Sequence, residues 1–310
     1  MTNSKNNPLS FVSGYVQDIE HILVTAQIDE LAEVGEPDSF VLSWKHSDYK
    51  WWETCDLEWS VTRICVFSGQ TEQIFATGPL GRVVIHENNG MREEDIDSSS
   101  KGISLHGDIR DLEFIGEHLY ATGMGRQVYR RVGDDHWVHQ DLGVLQHLSI
   151  TEVTGFNSID GLDEDDIYAV GFYGEIWQFH KQSWQQLESP TNVILNKVKV
   201  IGKDLVYVCG QQGMLLVGAK NQWKIIEHDV TKDQIWDMEW FHNSLYLTTD
   251  TCIYRLHSDQ TLELVDINLG YQITCGFLHA KDGLMVATGR KDIVWTNDGV
   301  IWQDITPGRI

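Results

Sequence analysis

The sequence is poor in basic residues, and this shortage limits what the protein can bind. Its 310 residues include 23 Lys and Arg against 46 Asp and Glu, for a formal net charge of −23. Binding to a nucleic-acid backbone or to an anionic membrane surface depends on clustered Lys and Arg. We therefore expect neither nucleic acid nor membrane as a partner. A basic protein is the partner that this charge would attract.

Cysteines are also few, and long hydrophobic runs are absent. The five cysteines form no Cys-x-x-Cys pair and are typical of reduced residues buried as small apolar side chains. No apolar run approaches the ~20 residues of a membrane-spanning helix. The polar segment 1–14 lacks the basic-then-apolar pattern of a secretory signal. These features favour a cytoplasmic protein.

The most informative feature is an internal repeat. A short apolar segment ending in glycine recurs as IFATG at 74–78, LYATG at 119–123, IYAVG at 167–171 and VYVCG at 206–210. Weaker copies are LYLTT at 245–249 and MVATG at 285–289. The ends of these segments lie 39 to 48 residues apart, which is close to the spacing of propeller blades.

Each repeat contains four strand-like segments. A first strand precedes the repeated segment, a third follows a second glycine, and a short fourth usually carries tryptophan: Trp137, Trp184, Trp223 and Trp302. Short β-branched and aromatic runs separated by Gly, Asn and Asp are typical of antiparallel strands. The sequence therefore predicts an all-β fold, a single β-propeller domain over residues 1–310 with four-stranded antiparallel blades.

We favour seven blades, with six as the alternative. Residues 60–310 supply six clear blades, and residues 10–58 a divergent first blade whose outer strands are FVLSW at 40–44 and YKWWETC at 49–55. The segment HILVTAQ at 21–27 is either an inner strand of that blade or a strand that pairs with the C-terminal blade to close the ring.

The repeats resemble bacterial propeller repeats with a D-x-Y-A-V-G…G-x-I…W pattern, best seen in DEDDIYAVGFYGEIWQFHKQSWQQLESP at 163–190. They are also similar to the Asp-box, neuraminidase-type repeats of photosystem assembly factor propellers. The closest copy is WTNDGVIWQDITPG at 295–308, where Asp298 is one residue nearer to Trp302 than in the usual box. The resemblance implies a propeller but not a function, because propellers host enzymes, assembly factors and binding modules alike.

We identify no catalytic residue, no cofactor site and no metal site. The Gly123-x-Gly125 pair lies between short strands, without the helix that a dinucleotide site requires. The histidines lack zinc-site spacing, and the acidic segment 160–166 lacks the spacing of a calcium loop. First strands direct Asp111, Glu113 and Lys197, among others, toward the central channel, where we expect mutual ion pairs.

Loops offer a better candidate site. In a propeller, the loops between second and third strands share one rim with the connections between blades. On these loops and one connection we expect a protein-binding patch: Leu80, Met124, Phe172, Tyr173, Gln211, Gln212, Tyr271 and Arg290. Apolar side chains grouped there would mark a partner site, unless they fold back onto the rim.

The connection 87–107 carries an acidic cluster of Glu93, Glu94, Asp95 and Asp97. Its composition predicts an acidic loop that is mobile when free. It either engages a basic partner or is a simple insertion.

Together these features favour a non-catalytic protein-binding propeller, monomeric when free, that binds a basic protein. A more specific hypothesis is that this binding protein is an immunity protein that neutralises a toxin or effector. The alternatives are a carbohydrate-active enzyme, a glycosidase or lyase, with its site at the channel mouth, and an assembly factor for a larger complex.

Overall fold

The computed structural model describes residues 7–36, 38–69, 72–99, 102–147 and 153–309. Its strands form seven four-stranded antiparallel sheets arranged as a β-propeller, and the strands of each sheet are hydrogen-bonded in chain order. The predicted all-β propeller is confirmed, with seven blades rather than six. Within the described ranges, no helix is both long and apolar enough to cross a membrane.

The chain has two compact parts, residues 1–66 with 236–310, and residues 67–235. The first part contains blades 1, 6 and 7. Blade 1 consists of β1 (Leu9–Val16), β2 (His21–Ile28), β3 (Ser39–Lys45) and β4 (Lys50–Leu57), with the short helix α1 (Asp29–Glu33) after β2. Blade 6 consists of β21 (Asp237–Phe241), β22 (Ser244–Thr248), β23 (Ile253–Leu256) and β24 (Leu262–Leu264). Blade 7 consists of β25 (Phe277–Lys281), β26 (Leu284–Thr288), β27 (Ile293–Thr296) and β28 (Gln303–Asp304).

Blades 3, 4 and 5 lie in the second part, together with most of blade 2. Blade 2 consists of β5 (Arg63–Ser68), β6 (Glu72–Thr77), β7 (Arg82–Glu87) and β8 (Gly90–Asp95). Blade 3 consists of β9 (Ile109–Ile115), β10 (His118–Gly123), β11 (Val128–Gly133) and β12 (His136–His139). Blade 4 consists of β13 (Phe156–Asp163), β14 (Asp166–Gly171), β15 (Ile176–His180) and β16 (Ser183–Leu187). Blade 5 consists of β17 (Leu195–Gly202), β18 (Leu205–Gly210), β19 (Leu215–Ala219) and β20 (Gln222–Ile225). Single 3-10 turns cover Ile103–Leu105, Phe172–Gly174 and Gln211–Gly213.

Blade 1 packs beside blade 7. The segment 21–27 lies in β2, which pairs with β1 and β3 of its own blade, so the inner-strand interpretation is confirmed. The Phe11 N–H donates to the Arg290 carbonyl at 3.0 Å, and the Val16 N–H donates to His279 Nδ1 at 3.0 Å. One core cluster includes Trp44 of blade 1 and Trp295 of blade 7. The two blades therefore join by packing and not by exchanging a strand.

The hydrophobic cores lie between neighbouring blades. One cluster combines Tyr120 of blade 3 with Phe156 and Ile159 of blade 4. The Trp184 ring lies 5.8 Å from the Phe156 ring, and its Nε1 donates to the Gln140 carbonyl at 2.7 Å. This repeated tryptophan thus contributes to packing between blades, where a large aromatic side chain buries the most apolar surface.

Close backbone contact requires the glycine that ends four of the repeated segments, at 123, 171, 210 and 289. Gly171 is extended, with φ of −172°, so any residue could adopt its conformation. A Cβ on Gly171, however, would lie 1.9 Å from the Gly155 carbonyl oxygen, and the same contact at Gly123, Gly210 and Gly289 is 2.1 to 2.3 Å. The first strand of the blade passes too close to this position for any side chain.

Candidate functional site

The loops between second and third strands are fixed by backbone hydrogen bonds to the connections that lead into the blades. In the second part of the chain, the Ile109 N–H donates to the Pro79 carbonyl at 2.7 Å, and the Gln211 N–H donates to the Ile194 carbonyl at 2.9 Å. The Gly125 N–H donates to the Thr154 carbonyl at 2.9 Å. Side chains at the loop tips are therefore presented from a rigid backbone.

Tyr173 occupies a strained position at the tip of such a loop. Its φ of 56° is in the left-handed region, as is that of Gln212 in blade 5 at 60°. Gly125, with φ of 66°, occupies the matching position of blade 3. The Tyr173 side chain is 56% exposed, so packing does not explain why an aromatic residue replaces glycine here. Strain of this kind often marks a functional position.

A buried ion pair supports the loops of blades 3 and 4. Arg126 Nε donates to Glu175 Oε2 at 2.7 Å, and Nη2 donates to Oε1 at 2.5 Å. The guanidinium carbon also lies 5.4 Å from the Trp177 ring centre. A bidentate pair holds both loops in one geometry, so the Tyr173 loop is positioned before any partner arrives.

The structure divides the predicted rim residues into three groups. Leu80 is 71% exposed, Gln212 is exposed like Tyr173, and Phe172 and Gln211 are half-buried. Met124 is only 8% exposed, so its prediction as a surface contact is wrong. Its side chain is folded back onto the rim, which is the alternative expected for these loops.

The two remaining predicted rim residues lie in the first part of the chain. Tyr271 is 41% exposed, and its hydroxyl donates to Asp304 Oδ2 at 2.5 Å. Arg290 is exposed, and its Nε donates to Ser10 Oγ at 3.2 Å. Arg290 thus belongs to the junction of blades 7 and 1, whereas Tyr271 remains available as a contact residue.

The prediction that the acidic cluster lies in a loop is wrong for residues 93–95. Residues 90–95 form β8, the fourth strand of blade 2, which places Glu93, Glu94 and Asp95 in a sheet. Glu93 and Asp95 are exposed there, but Glu94 is buried. Asp97 follows the strand and accepts the Ser99 N–H at 2.9 Å. Only Glu93, Asp95 and the partly exposed Asp97 can face a partner.

Glu94 is the centre of a buried network. Arg131 donates to both carboxylate oxygens, at 2.9 and 2.6 Å, and Arg92 and the Asp135 N–H also donate to it. Burial by itself would raise the pKa of Glu94, but the hydrogen bonds outweigh that effect and lower its pKa to about 2. This carboxylate therefore joins blade 2 to blade 3 and is not a binding residue.

Charged side chains of the first strands also link blades. Asp111 Oδ2 accepts the Ile159 N–H at 3.1 Å, and Asp160 Oδ2 accepts the Val200 N–H at 2.7 Å. Lys197 Nζ lies 3.5 Å from Asp111 Oδ2 and 3.8 Å from Glu113 Oε2. The expected ion pair between Lys197 and Asp111 is present, and the carboxylates of Asp111 and Asp160 join neighbouring blades.

Sequence reasoning missed several exposed apolar residues on the connections between blades. Leu142 is 83% exposed, Val153 is 47% exposed and Val230 is 42% exposed. All three lie in connections of the second part, the segments to which the loops are hydrogen-bonded. No signal in the sequence marks them, because single apolar residues within polar connections are common.

Solved structures with a similar fold are distant in sequence. YCF48 bound to D1 peptide superposes with a TM-score of 0.66 at 10% identity, over 94% of this chain and 92% of that chain. PorZ, a surface component of the type-IX secretion system of Porphyromonas gingivalis, gives 0.62 at 11% identity, over 98% and 40%. Such similarity shows the propeller fold alone.

One protein is much more similar to this chain in sequence than these structures are. No protein-family model matches the chain. The immune protein Tsi7 of Pseudomonas aeruginosa is 34% identical to it over 301 residues, which span 96% of this chain and 97% of that protein. The similarity therefore includes all seven blades and the loops between them. The chain belongs to the family of the immune protein Tsi7.

Proposed function

We propose that this protein is an immunity protein that binds a toxin and neutralises it without catalysis. The observation that carries the proposal is the 34% identity to an immune protein over 96% of the chain. Supporting it, the carboxylates Asp111 and Asp160 that a channel enzyme would use accept backbone N–H groups of the next blade. We further propose that the protein acts as a monomer in the cytoplasm.

We place the toxin contact at the rim loops of residues 67–235, centred on Tyr173. Leu80 and Tyr173 are the exposed apolar tips of two of these loops. The backbone hydrogen bonds and the Arg126–Glu175 pair hold the loops in place, so little conformational entropy is lost on binding. Rigid aromatic side chains of this kind are typical binding hot spots.

The proposed toxin is basic. A net charge of −23 attracts a cationic protein and accelerates its encounter with the rim. Near the rim loops, the exposed Glu93 and Asp95 can contribute to this field although they lie in a strand. The same charge disfavours an acidic partner.

We propose that one turn of blade 7 corresponds to the turn of an Asp-box repeat. Between the third and fourth strands of blade 7, Asp298 Oδ1 accepts the N–H groups of Val300 and Ile301, both at 2.8 Å. This contact supports a turn-closing role for the carboxylate, and no binding role follows from it.

A growth assay tests the proposal. A protein that is encoded beside the gene for this chain and kills a bacterial host when expressed alone serves as the toxin. It is expressed with the wild-type chain, with Tyr173→Ala/Leu80→Ala, or with Leu162→Ala. Leu162 is 47% exposed and lies in β13, away from the loops between second and third strands, so it serves as a matched control. We expect growth with wild type and Leu162→Ala, and at least tenfold fewer colonies with the double variant. No protection by wild type would overturn the immunity function, and full protection by the double variant would overturn the rim location.

A further inference from the structure

An apolar groove of about 400 Å³ lies in the first part of the chain. It is formed by the blade 6 loop around Thr251 and by the segment 264–273, which leads from β24 toward blade 7. Its apolar lining consists of Ile253, Leu264, Val265, Ile267, Leu269 and Ile273. The groove is separate from the Tyr173 loops described above.

The groove is held open by the packing of its own walls. Val265, Ile267 and Leu269 pack against the core between blades 6 and 7, and the Val265 N–H donates to the Ile253 carbonyl at 2.9 Å. Leu264, also on the lining, is 58% exposed. An apolar cleft with a fixed backbone is the usual form of a preformed binding pocket.

Tyr271 lines one end of the groove and is fixed before binding. Besides its hydrogen bond to Asp304, its ring lies 5.1 Å from the Arg309 guanidinium carbon. Arg309 is itself held by Asp292, with Nη1 to Oδ1 at 2.5 Å. A half-exposed aromatic ring that is already ordered loses little entropy when a partner packs on it.

The edges of the groove are acidic. Asp266 lines it, Asp250 and Glu263 adjoin its lining residues in sequence, and all three are exposed. Arg309 lies at the Tyr271 end, where Asp292 and Asp304 already neutralise it. The complementary partner carries positive charge next to an apolar side chain. A second copy of this chain would bring another acidic surface, and the like charges would repel.

We propose that this groove binds an apolar side chain from a cationic segment of the toxin, a Leu, Ile, Met or Phe next to Lys or Arg. The inference rests on the proposed immunity function and adds a second contact, independent of the Tyr173 loops. Tyr271 packs on the inserted side chain, and Glu263 and Asp266 pair with its basic neighbours. This arrangement combines an apolar anchor with charged edges, as protein interfaces commonly do.

Cys252 allows the groove to be tested directly. It lines the groove and is partly exposed, whereas the other four cysteines are buried. We expect N-ethylmaleimide to modify Cys252 first, and a saturating amount of the purified toxin to slow that reaction at least tenfold. The Cys252→Ser variant is the control for the site of modification.

Binding measurements complete the test. By calorimetry, we expect Tyr271→Ala and the groove-filling Thr251→Trp each to raise the Kd for the toxin at least tenfold, and Tyr271→Phe to stay within threefold. Thermal unfolding of each variant shows whether it remains folded. If Tyr271→Ala does not fold, the toxin affinities of Thr251→Trp and of wild type modified at Cys252 test the proposal instead.

The outcomes separate the two proposals. If wild type does not bind the toxin, the immunity function and the groove proposal both fail. If wild type binds and Thr251→Trp, modified Cys252 and any folded Tyr271→Ala all keep its affinity, only the groove proposal is overturned. Protection of Cys252 by self-association without toxin would likewise overturn it, in favour of a second copy.

Discussion

Arg126 and Glu175 form a bidentate ion pair in which the side chains are only 11% and 8% exposed. The pair connects the loop of blade 3 to the start of β15 in blade 4. Removing one partner from such a pair leaves a buried charge unpaired, which costs far more than the net value of the pair.

We therefore expect Arg126→Gln to lower the free energy of unfolding by about 3 kcal/mol, because it leaves the Glu175 carboxylate without its partner. Urea denaturation measures this change. The double variant Arg126→Met/Glu175→Met should cost clearly less, since neither charge remains. Equal losses in the single and double variants would show that the pair does not hold the loops.

The Glu94 network makes stability depend on acid pH. The pKa of Glu94 falls from 4.5 to about 2 on folding, so its stabilisation is complete above pH 4.5 and is lost as the pH falls toward 2. The side chain is fully buried, and the shift corresponds to about 3 kcal/mol. Unfolding of wild type and Glu94→Gln between pH 6 and pH 2.5 should show a steeper loss in wild type. Parallel curves would contradict this role.

Glu113 gives stability the opposite pH dependence. Burial raises the pKa of Glu113 to about 8, against the opposing charges of Lys197 and Lys199. Its contribution is therefore complete below the unfolded pKa and is lost as the pH rises through 8. We expect Glu113→Gln to be more stable relative to wild type at pH 9 than at pH 5, by thermal unfolding. Glu117→Gln, on an exposed turn, is the control, and an unchanged difference for Glu113→Gln would rule out the effect.

Tyr173 should stabilise binding at the expense of folding. Tyr173→Gly relieves the left-handed strain and should raise the free energy of unfolding by about 1 kcal/mol, while it weakens toxin binding. Tyr173→Ala keeps the strain and loses the ring, so it should weaken binding without the gain in stability. Chemical denaturation and calorimetry check both effects; a destabilised Tyr173→Gly would show that the ring supports the fold.

Salt should affect the rate at which the toxin associates. Between about 50 and 500 mM salt, screening shortens the reach of exposed charges, and we expect the association rate constant to fall about tenfold with little change in dissociation. Surface plasmon resonance measures both rates. A salt-independent association rate would contradict a basic partner.

The repeated segments were sufficient to predict the fold. Four of the six copies end in a glycine, at 123, 171, 210 and 289, that the chain entering the first strand approaches too closely for a Cβ, so the repeated glycine reflects a steric constraint of the blade. Blade 1 lacks this signal, yet its strands β3 and β4 follow the predicted segments 40–44 and 49–55. Local strand patterns were enough there.

The candidate binding site was harder to predict from the sequence than the fold. An acidic run such as 93–97 usually indicates a solvated loop, and the burial of Glu94 depends on Arg131 and Trp137, which belong to the next blade. Long-range contacts of this kind leave no pattern in the nearby sequence, whereas the exposure of Leu80 and Tyr173 could be inferred from loop position alone.

Hydrogen–deuterium exchange of the full chain, with and without the purified toxin, is the most direct test of the account. Immunity through the rim loops predicts slower exchange at residues 78–81 and 171–175 when the toxin is bound, and the groove proposal adds slower exchange at 270–273. Protection confined to the turns at the other ends of the strands, such as 162–166 and 180–183, would contradict it.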